Sequence, residues 1–275
     1  MKFEEITLGK GKPNLIVTSG IHGNEYSSDV LINELLRIKP KTGSITFINK
    51  INNKAYKTNK RYIESDLNRS FPGKKDGTYE EKIAIKILEK VKDADYVLDI
   101  HSFNMDSEVM TVTFGEENFD LTKSLTTKYS WIVHLDNTFE KRYENTFSFA
   151  LNQKGIDNVC IEMPALENLT ENHVNEAVEG YKNFLKYIGM LEGHPENNRP
   201  KPLKRELGFS PDNGIFLPKL NIMQEVKKGD IIGKLITEDF KTVPVTAFKD
   251  GVLTQVFPRA KVHKDTPIYG ISLPL

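Results

Sequence analysis

Two apolar runs, Asn14 to Ser19 and Tyr96 to Ile100, each lead into a histidine cluster: His22-Gly23-Asn24-Glu25 after the first, His101-Ser102 after the second. Runs of this length read as buried strands, and ligands collect outside the carboxyl ends of strands in an open α/β sheet. The chain is thereby constrained to a sheet that brings those two strand ends together. Gly20 and Gly23 loosen the first turn, and Ser27 to Ile38 has helical apolar spacing. Glu25 is expected to open that helix, three residues after His22, so that both side chains face one point.

Zinc takes four N, O or S ligands, and its catalytic sites keep one position for water. Two imidazoles and one carboxylate suit such a centre, so His22, Glu25 and His101 are the candidate ligands for one Zn2+ per chain. Taken singly, each has a plainer reading, His22 and Glu25 as charges at a helix start and His101 as a hydrogen-bonded structural histidine. A third segment, Arg61-Tyr62-Ile63-Glu64-Ser65-Asp66-Leu67-Asn68-Arg69-Ser70-Phe71-Pro72-Gly73, is too short and polar for a core helix. By itself it reads as an exposed, salt-bridged loop.

In this order, the stretches Gly20 to Glu25, Arg61 to Arg69 and Leu98 to Ser102 resemble the succinylglutamate desuccinylase/aspartoacylase family, a branch of the zinc carboxypeptidase superfamily. The resemblance implies that His22, Glu25 and His101 hold the metal, that Asn68 and Arg69 grip the substrate's α-carboxylate, and that Arg61 stabilises the oxyanion. A guanidinium fork matches a carboxylate, and a fixed cation lowers the barrier where negative charge develops. Asp66 corresponds to a carboxylate that accepts the outer N–H of a ligating histidine and fixes its tautomer. The family's general base is a glutamate on a later strand, and the match is Glu162 in Asn158-Val159-Cys160-Ile161-Glu162-Met163-Pro164. A carboxylate on an apolar strand has its pKa raised toward that of a working base, although a solvent-facing strand end is the alternative. Cys160, the single cysteine, reads as packing.

The sequence departs from the family in two places. Members that bind acidic amino acids carry a further arginine about ten residues before the catalytic glutamate, a spacing taken from the resemblance; Asn152 stands there in this chain, which removes the basis for dicarboxylate selectivity. Met163-Pro164 replaces a glycine-containing tail. Lys141, Arg142 and Tyr143 read as a solvated cluster, and Glu80-Glu81-Lys82 as a solvated helix face.

Strand-like segments at 14–19, 44–49, 96–101, 109–114, 132–135 and 158–163 alternate with helical ones near 25–38, 79–92, 118–129, 145–153 and 170–190. Alternation of this kind predicts an α/β, zinc-carboxypeptidase-like mixed sheet, mostly parallel, with helices on both faces. Polar, proline-rich residues 193–202 end the pattern, and short strands separated by turns follow. The expected organisation is a catalytic domain over 1–192 and a small all-β domain over 203–275. That second domain is read as capping the cleft or mediating homo-oligomerisation. Lys249 reads as a turn lysine and Gly9-Lys10-Gly11-Lys12 as a hairpin turn. His134, His173, His194, His263 and Tyr269 read as structural or surface residues.

Lys+Arg and Asp+Glu both number 38, so the chain as a whole offers no electrostatic footprint for nucleic acid. With one cysteine, no signal-like segment and no long apolar run, the expectation is a cytoplasmic protein off the membrane. The activity expected is hydrolysis of the amide of a small N-acyl amino acid, a linear amide. A metallocarboxypeptidase trimming peptides is the alternative, followed by a non-catalytic binder on the same fold.

Overall fold

The computed structural model describes residues 3–114, 119–125, 127, 129–133, 143–196 and 201–274. His134, Lys141 and Arg142, and residues 197–200 of the proline-rich stretch, lie outside them. The chain forms two compact units: Met1–Ser102 with Val109–Pro200, and Phe103–Glu108 with Lys201–Leu275.

In the first unit, strands β1 (Glu4–Lys10), β2 (Asn14–Ser19) and β3 (Gly43–Asn49) precede β4 (Tyr96–Ser102). Beyond the two-residue β5 (Asp106–Ser107), which belongs to the second unit, come β6 (Met110–Phe114), β7 (Tyr129–Val133) and β8 (Asp157–Met163). The sheet order is β1-β3-β2-β4-β8-β6-β7. Its centre is parallel, β3 to β2 to β4 to β8, whereas β1 runs antiparallel to β3 and β6 antiparallel to β8. The sheet is therefore mixed. Residues 9–12 do not close a hairpin, because β3 lies between β1 and β2.

Alternation along the strands loads both faces. Leu15 and Val17 of β2 pack with Leu98 and Ile100 of β4 beneath helices α1 (Ser27–Leu35) and, late in the chain, Glu171–Tyr187. Ile16 and Val97 point the other way, onto Ile83 and Ile87 of the helix Tyr79–Val91 and onto Phe147 and Leu151 of Phe147–Asn152. In chain order these helices, with the short Asn53–Lys57 and Phe119–Ser124, are α2 (Asn53–Lys57), α3 (Tyr79–Val91), α4 (Phe119–Ser124), α5 (Phe147–Asn152) and α6 (Glu171–Tyr187). Each buried aliphatic or aromatic side chain in these layers contributes about 1.5–3 kcal/mol.

Two further sequence expectations are corrected. Helix α1 begins at Ser27, after Tyr26, so Glu25 stands in the irregular turn before the helix. Its carboxylate is drawn inward by polar partners, and the backbone there does not take helical geometry. Of the Glu80-Glu81-Lys82 run, Glu81 does cap α3, closing a box with Thr78, but Glu80 is fully buried. Charge alone reads as solvent-facing; burial here follows from hydrogen bonds that a distant loop supplies.

Among its described residues the second unit contains strands only: β9 (Lys201–Phe209), β10 (Gly214–Pro218), β11 (Gln224–Val226), β12 (Ile231–Thr237), β13 (Thr242–Thr246), β14 (Gly251–Val256), β15 (Ala260–Val262) and β16 (Pro267–Pro274). They form a β9-β16-β14-β11 sheet, to which β5 adds on β14, and a β13-β12-β10-β15 sheet. Phe216, Ile232, Leu235, Leu253 and Ile271 fill the space between them. Tyr269 donates its hydroxyl to Thr246 O at 2.8 Å, and Lys249 pairs with Glu206 at 2.8 Å. Both are structural contacts.

Candidate active site

Parallel pairing puts Ser19 beside Ile100 and His101 beside Glu162, so the carboxyl ends of β2, β4 and β8 open at one edge of the sheet. At Gly20 the chain leaves β2 with φ +72°, and a side chain there would run into the backbone of Lys50. Gly23 lies directly against the backbone of Ala55 and Tyr56, where no Cβ fits, and its N–H donates to Arg61 O at 3.1 Å. The turn is thus pressed inward, carrying His22 and Glu25 toward β4.

His22, Glu25 and His101 are all buried, and their ligand atoms lie within 4.8 Å of one another. His22 Nδ1 is 2.6 Å from Glu25 Oε1, and His101 Nδ1 is 2.9 Å from Glu25 Oε2. Ser102 N–H also donates to Oε2, at 3.2 Å. Each imidazole turns its far nitrogen to an aspartate: His22 Nε2 to Asp66 Oδ1 at 3.0 Å, His101 Nε2 to Asp99 Oδ2 at 2.8 Å. A ring that donates Nε2–H outward presents the Nδ1 lone pair inward, which is the state a metal ligand requires. This donor set fits a small cation preferring N and O ligands.

The electrostatics follow from this convergence. Burial alone raises the Glu25 carboxyl, but His22 and His101 outweigh it and hold the group well below the usual carboxylate range. Burial pulls His101 down, and Asp99 and Glu25 reverse that and raise it well above its usual value. Asp66 is partly desolvated, yet its bond to His22 and the nearby Arg61 keep it low.

Arg61 donates from Nε to Asp66 Oδ2 at 3.1 Å and from Nη1 to Glu25 Oε1 at 3.3 Å, which places its guanidinium at the rim of the centre. The segment expected as a loop makes one short turn of 3-10 helix, Leu67–Arg69, capped by Asp66 through Asn68 N–H at 2.9 Å. Leu67 and Phe71 bury into the core and leave the polar residues on the other side. Asn68 Oδ1 accepts Phe147 N–H at 2.9 Å, so its amide NH2 must point away from α5. Arg69 donates to Asn68 O at 2.6 Å, and its guanidinium sits 5.5 Å from the Tyr143 ring centroid. Tyr143, expected in a solvated cluster, is buried. Glu162, half-buried, stands next to His101 across the β4–β8 pairing, and its charge is felt by Arg61. Asn152 accepts from Asn158 Nδ2 at 2.6 Å, and this contact holds α5 on β8.

Sequence reasoning did not single out Asp99 or Thr18. Thr18 Oγ1 donates to Asp99 Oδ1 at 2.6 Å inside the sheet, leaving Oδ2 for His101. The signal was present in Leu98-Asp99-Ile100-His101, since an acid two residues before a histidine on a strand shares its face.

A family model described as the succinylglutamate desuccinylase/aspartoacylase catalytic domain matches residues 11–188. The chain is 28% identical over 286 aligned positions to an N-alpha-acetyl-L-2,4-diaminobutyric acid deacetylase of Halomonas elongata, covering 94% of this chain and 81% of that one. Among solved structures it is similar to a succinylglutamate desuccinylase/aspartoacylase of Rhodobacter sphaeroides, with TM-score 0.85, 20% identity and coverage of 100% and 90%. It is also similar to a product-bound ectoine utilization protein of Ruegeria pomeroyi, with TM-score 0.84, 22% identity and coverage of 98% and 88%.

Proposed function

The chain belongs to the succinylglutamate desuccinylase/aspartoacylase family, and we propose that it is a zinc-dependent hydrolase that cleaves the amide bond of a small N-acyl amino acid. The observation that carries this reading is the buried His22, Glu25 and His101 group, with an aspartate on the outer nitrogen of each imidazole. The deacetylase from Halomonas elongata, at 28% identity across most of both chains, supports an acyl group on an amino acid as the substrate class. Zinc bound at these ligands supplies a Lewis acid for the amide carbonyl and acidifies water to a pKa of about 7.

The protein's own groups account for the rest. Asp66 and Asp99 hold the two imidazoles in the tautomer that ligates. Glu162, beside His101, takes the proton of the attacking water on its carboxylate and returns it to the leaving amine nitrogen. Arg61 carries a cation to the rim, where the carbonyl oxygen gains negative charge. The Asn68 amide and the Arg69 guanidinium, fixed by Phe147 N–H and stacked on Tyr143, bind the substrate's carboxylate. With Asn152 turned to Asn158, α5 sends no cation toward a second carboxylate from that position, which favours a neutral acyl group or side chain.

The test is amine release by zinc-loaded protein across N-acetyl, N-succinyl and N-formyl amino acids beside short peptides, each with a chelator control. Chelator-sensitive release from an N-acyl amino acid is expected. Release confined to peptides would make the protein a carboxypeptidase instead.

A further inference from the structure

Glu80 is a carboxylate with no solvent exposure at the second position of α3, and no cation pairs with it among the described residues. Four donors converge on it. Oε1 accepts Ile63 N–H at 2.7 Å and Asn52 Nδ2 at 3.1 Å, and Oε2 accepts Glu64 N–H and Ser65 N–H, both at 3.1 Å. Consecutive backbone N–H groups curled around one anion form a nest, and here the protein supplies the anion itself. The grip is reciprocal: Tyr79 N–H, at the start of α3, donates to Glu64 Oε2 at 2.8 Å, and Ser65 Oγ lies 2.8 Å from Thr78 Oγ1.

The residues held this way, 63–65, lie between Arg61 and Asp66, immediately upstream of Asn68 and Arg69. No side chain of 63–65 enters the core, so the course of the chain between Arg61 and Asp66 rests on these bonds. We propose that Glu80 is a positioning residue for substrate recognition: by filling the nest at 63–65 it sets where Arg61, Asn68 and Arg69 stand. The proposal rests on the reading of those three as substrate groups. Two of the three proposed metal ligands, Glu25 and His101, are placed by the β2 turn and by β4, and His22 meets the segment only through Asp66, one residue past the nest, so zinc affinity is expected to change less than substrate binding.

Glu80→Gln tests it, because an amide keeps the shape but turns an NH2 toward backbone donors whichever way it is flipped. Zinc-loaded Glu80→Gln is expected to retain its zinc while the KM for the N-acetyl amino acid that wild type cleaves fastest rises about tenfold or more. The amides of 63–65 are expected to exchange with solvent roughly tenfold faster or more. Ile87→Val, a trim in the core of the same helix, separates positioning from general loosening and is expected to leave KM unchanged. An unchanged KM in Glu80→Gln overturns the proposal, as does an equal rise in Ile87→Val. Should wild type cleave no N-acyl amino acid, the functional reading falls and exchange at 63–65 alone decides whether Glu80 holds the loop. If Glu80→Gln does not fold, Glu64→Ala removes the exposed reciprocal bond to Tyr79 N–H and is expected to raise KM by about threefold; no rise would refute the assignment.

Discussion

Asp99 Oδ2 lies 2.8 Å from His101 Nε2, and the two residues share one face of β4. Because Thr18 occupies the other carboxylate oxygen, Asp99 has no freedom to turn away. Partners of ligating histidines typically contribute 10–100-fold to metal affinity, roughly the loss expected for Asp99→Asn. Competition with a chromogenic chelator measures it, with Thr18→Val losing less than Asp99→Asn. Equal zinc affinity in wild type and Asp99→Asn would remove the aspartate from this role.

Cys160 lies on β8 between Val159 and Ile161, buried beside Asp99 in the parallel register. Burial pushes its thiol well above the usual range, and the neighbouring carboxylates Glu162 and Asp99 push the same way. The native protein is therefore expected to resist iodoacetamide over hours and to react fully in denaturant, read by intact mass. Rapid labelling of native protein would mean that the edge of the sheet opens.

The parts of this architecture legible in the sequence are those written in apolar runs. Leu15-Ile16-Val17 and Val97-Leu98 could only be central strands, and their ends fixed where His22 and His101 meet. The helical spacing of its neighbours predicts Glu25 in a helix, yet two imidazoles and Ser102 N–H hold it in the turn instead. Glu80 was unreadable for a different reason. Its burial is decided by backbone donors fifteen or more residues away, and backbone donors leave no mark in a side-chain pattern. Tyr143 was hidden by the charged residues beside it in sequence, since a cation stacked on a ring is a tertiary contact.

Tyr56 donates its hydroxyl to Asp29, and this bond, with some desolvation, pushes its pKa up to about 12. Folding therefore favours the protonated phenol. The stabilisation is fully present below the ordinary tyrosine value near 10 and is lost as pH rises from there through about 12. Spectrophotometric titration of the phenolate is expected to lose the component near 12 in Tyr56→Phe and to shift that component back toward 10 in Asp29→Asn. A Tyr56 that titrates with the exposed tyrosines would show that the hydrogen bond is not held in solution.

The proposed chemistry gives Glu162 and Arg69 separable contributions. Glu162 neighbours His101 across the strand pairing but is not among the three converging ligands, so its loss should not release the metal. In Glu162→Gln the shape of the strand end is kept and only the proton acceptor is removed. Turnover is then expected to fall by about a hundredfold or more with zinc content unchanged. On the proposed reading Arg69 acts at a distance from the proton, as a cation whose guanidinium sits 5.5 Å from the Tyr143 ring centroid. Arg69→Ala should raise KM far more than it lowers kcat, because an interaction made equally in ground and transition states is lost from binding alone. Steady-state kinetics of both variants on one N-acyl amino acid, with zinc quantified in each sample, separates the two roles. If Glu162→Gln turns over at near the wild-type rate, the base must be sought elsewhere; if Arg69→Ala leaves KM untouched, the carboxylate is bound by other groups.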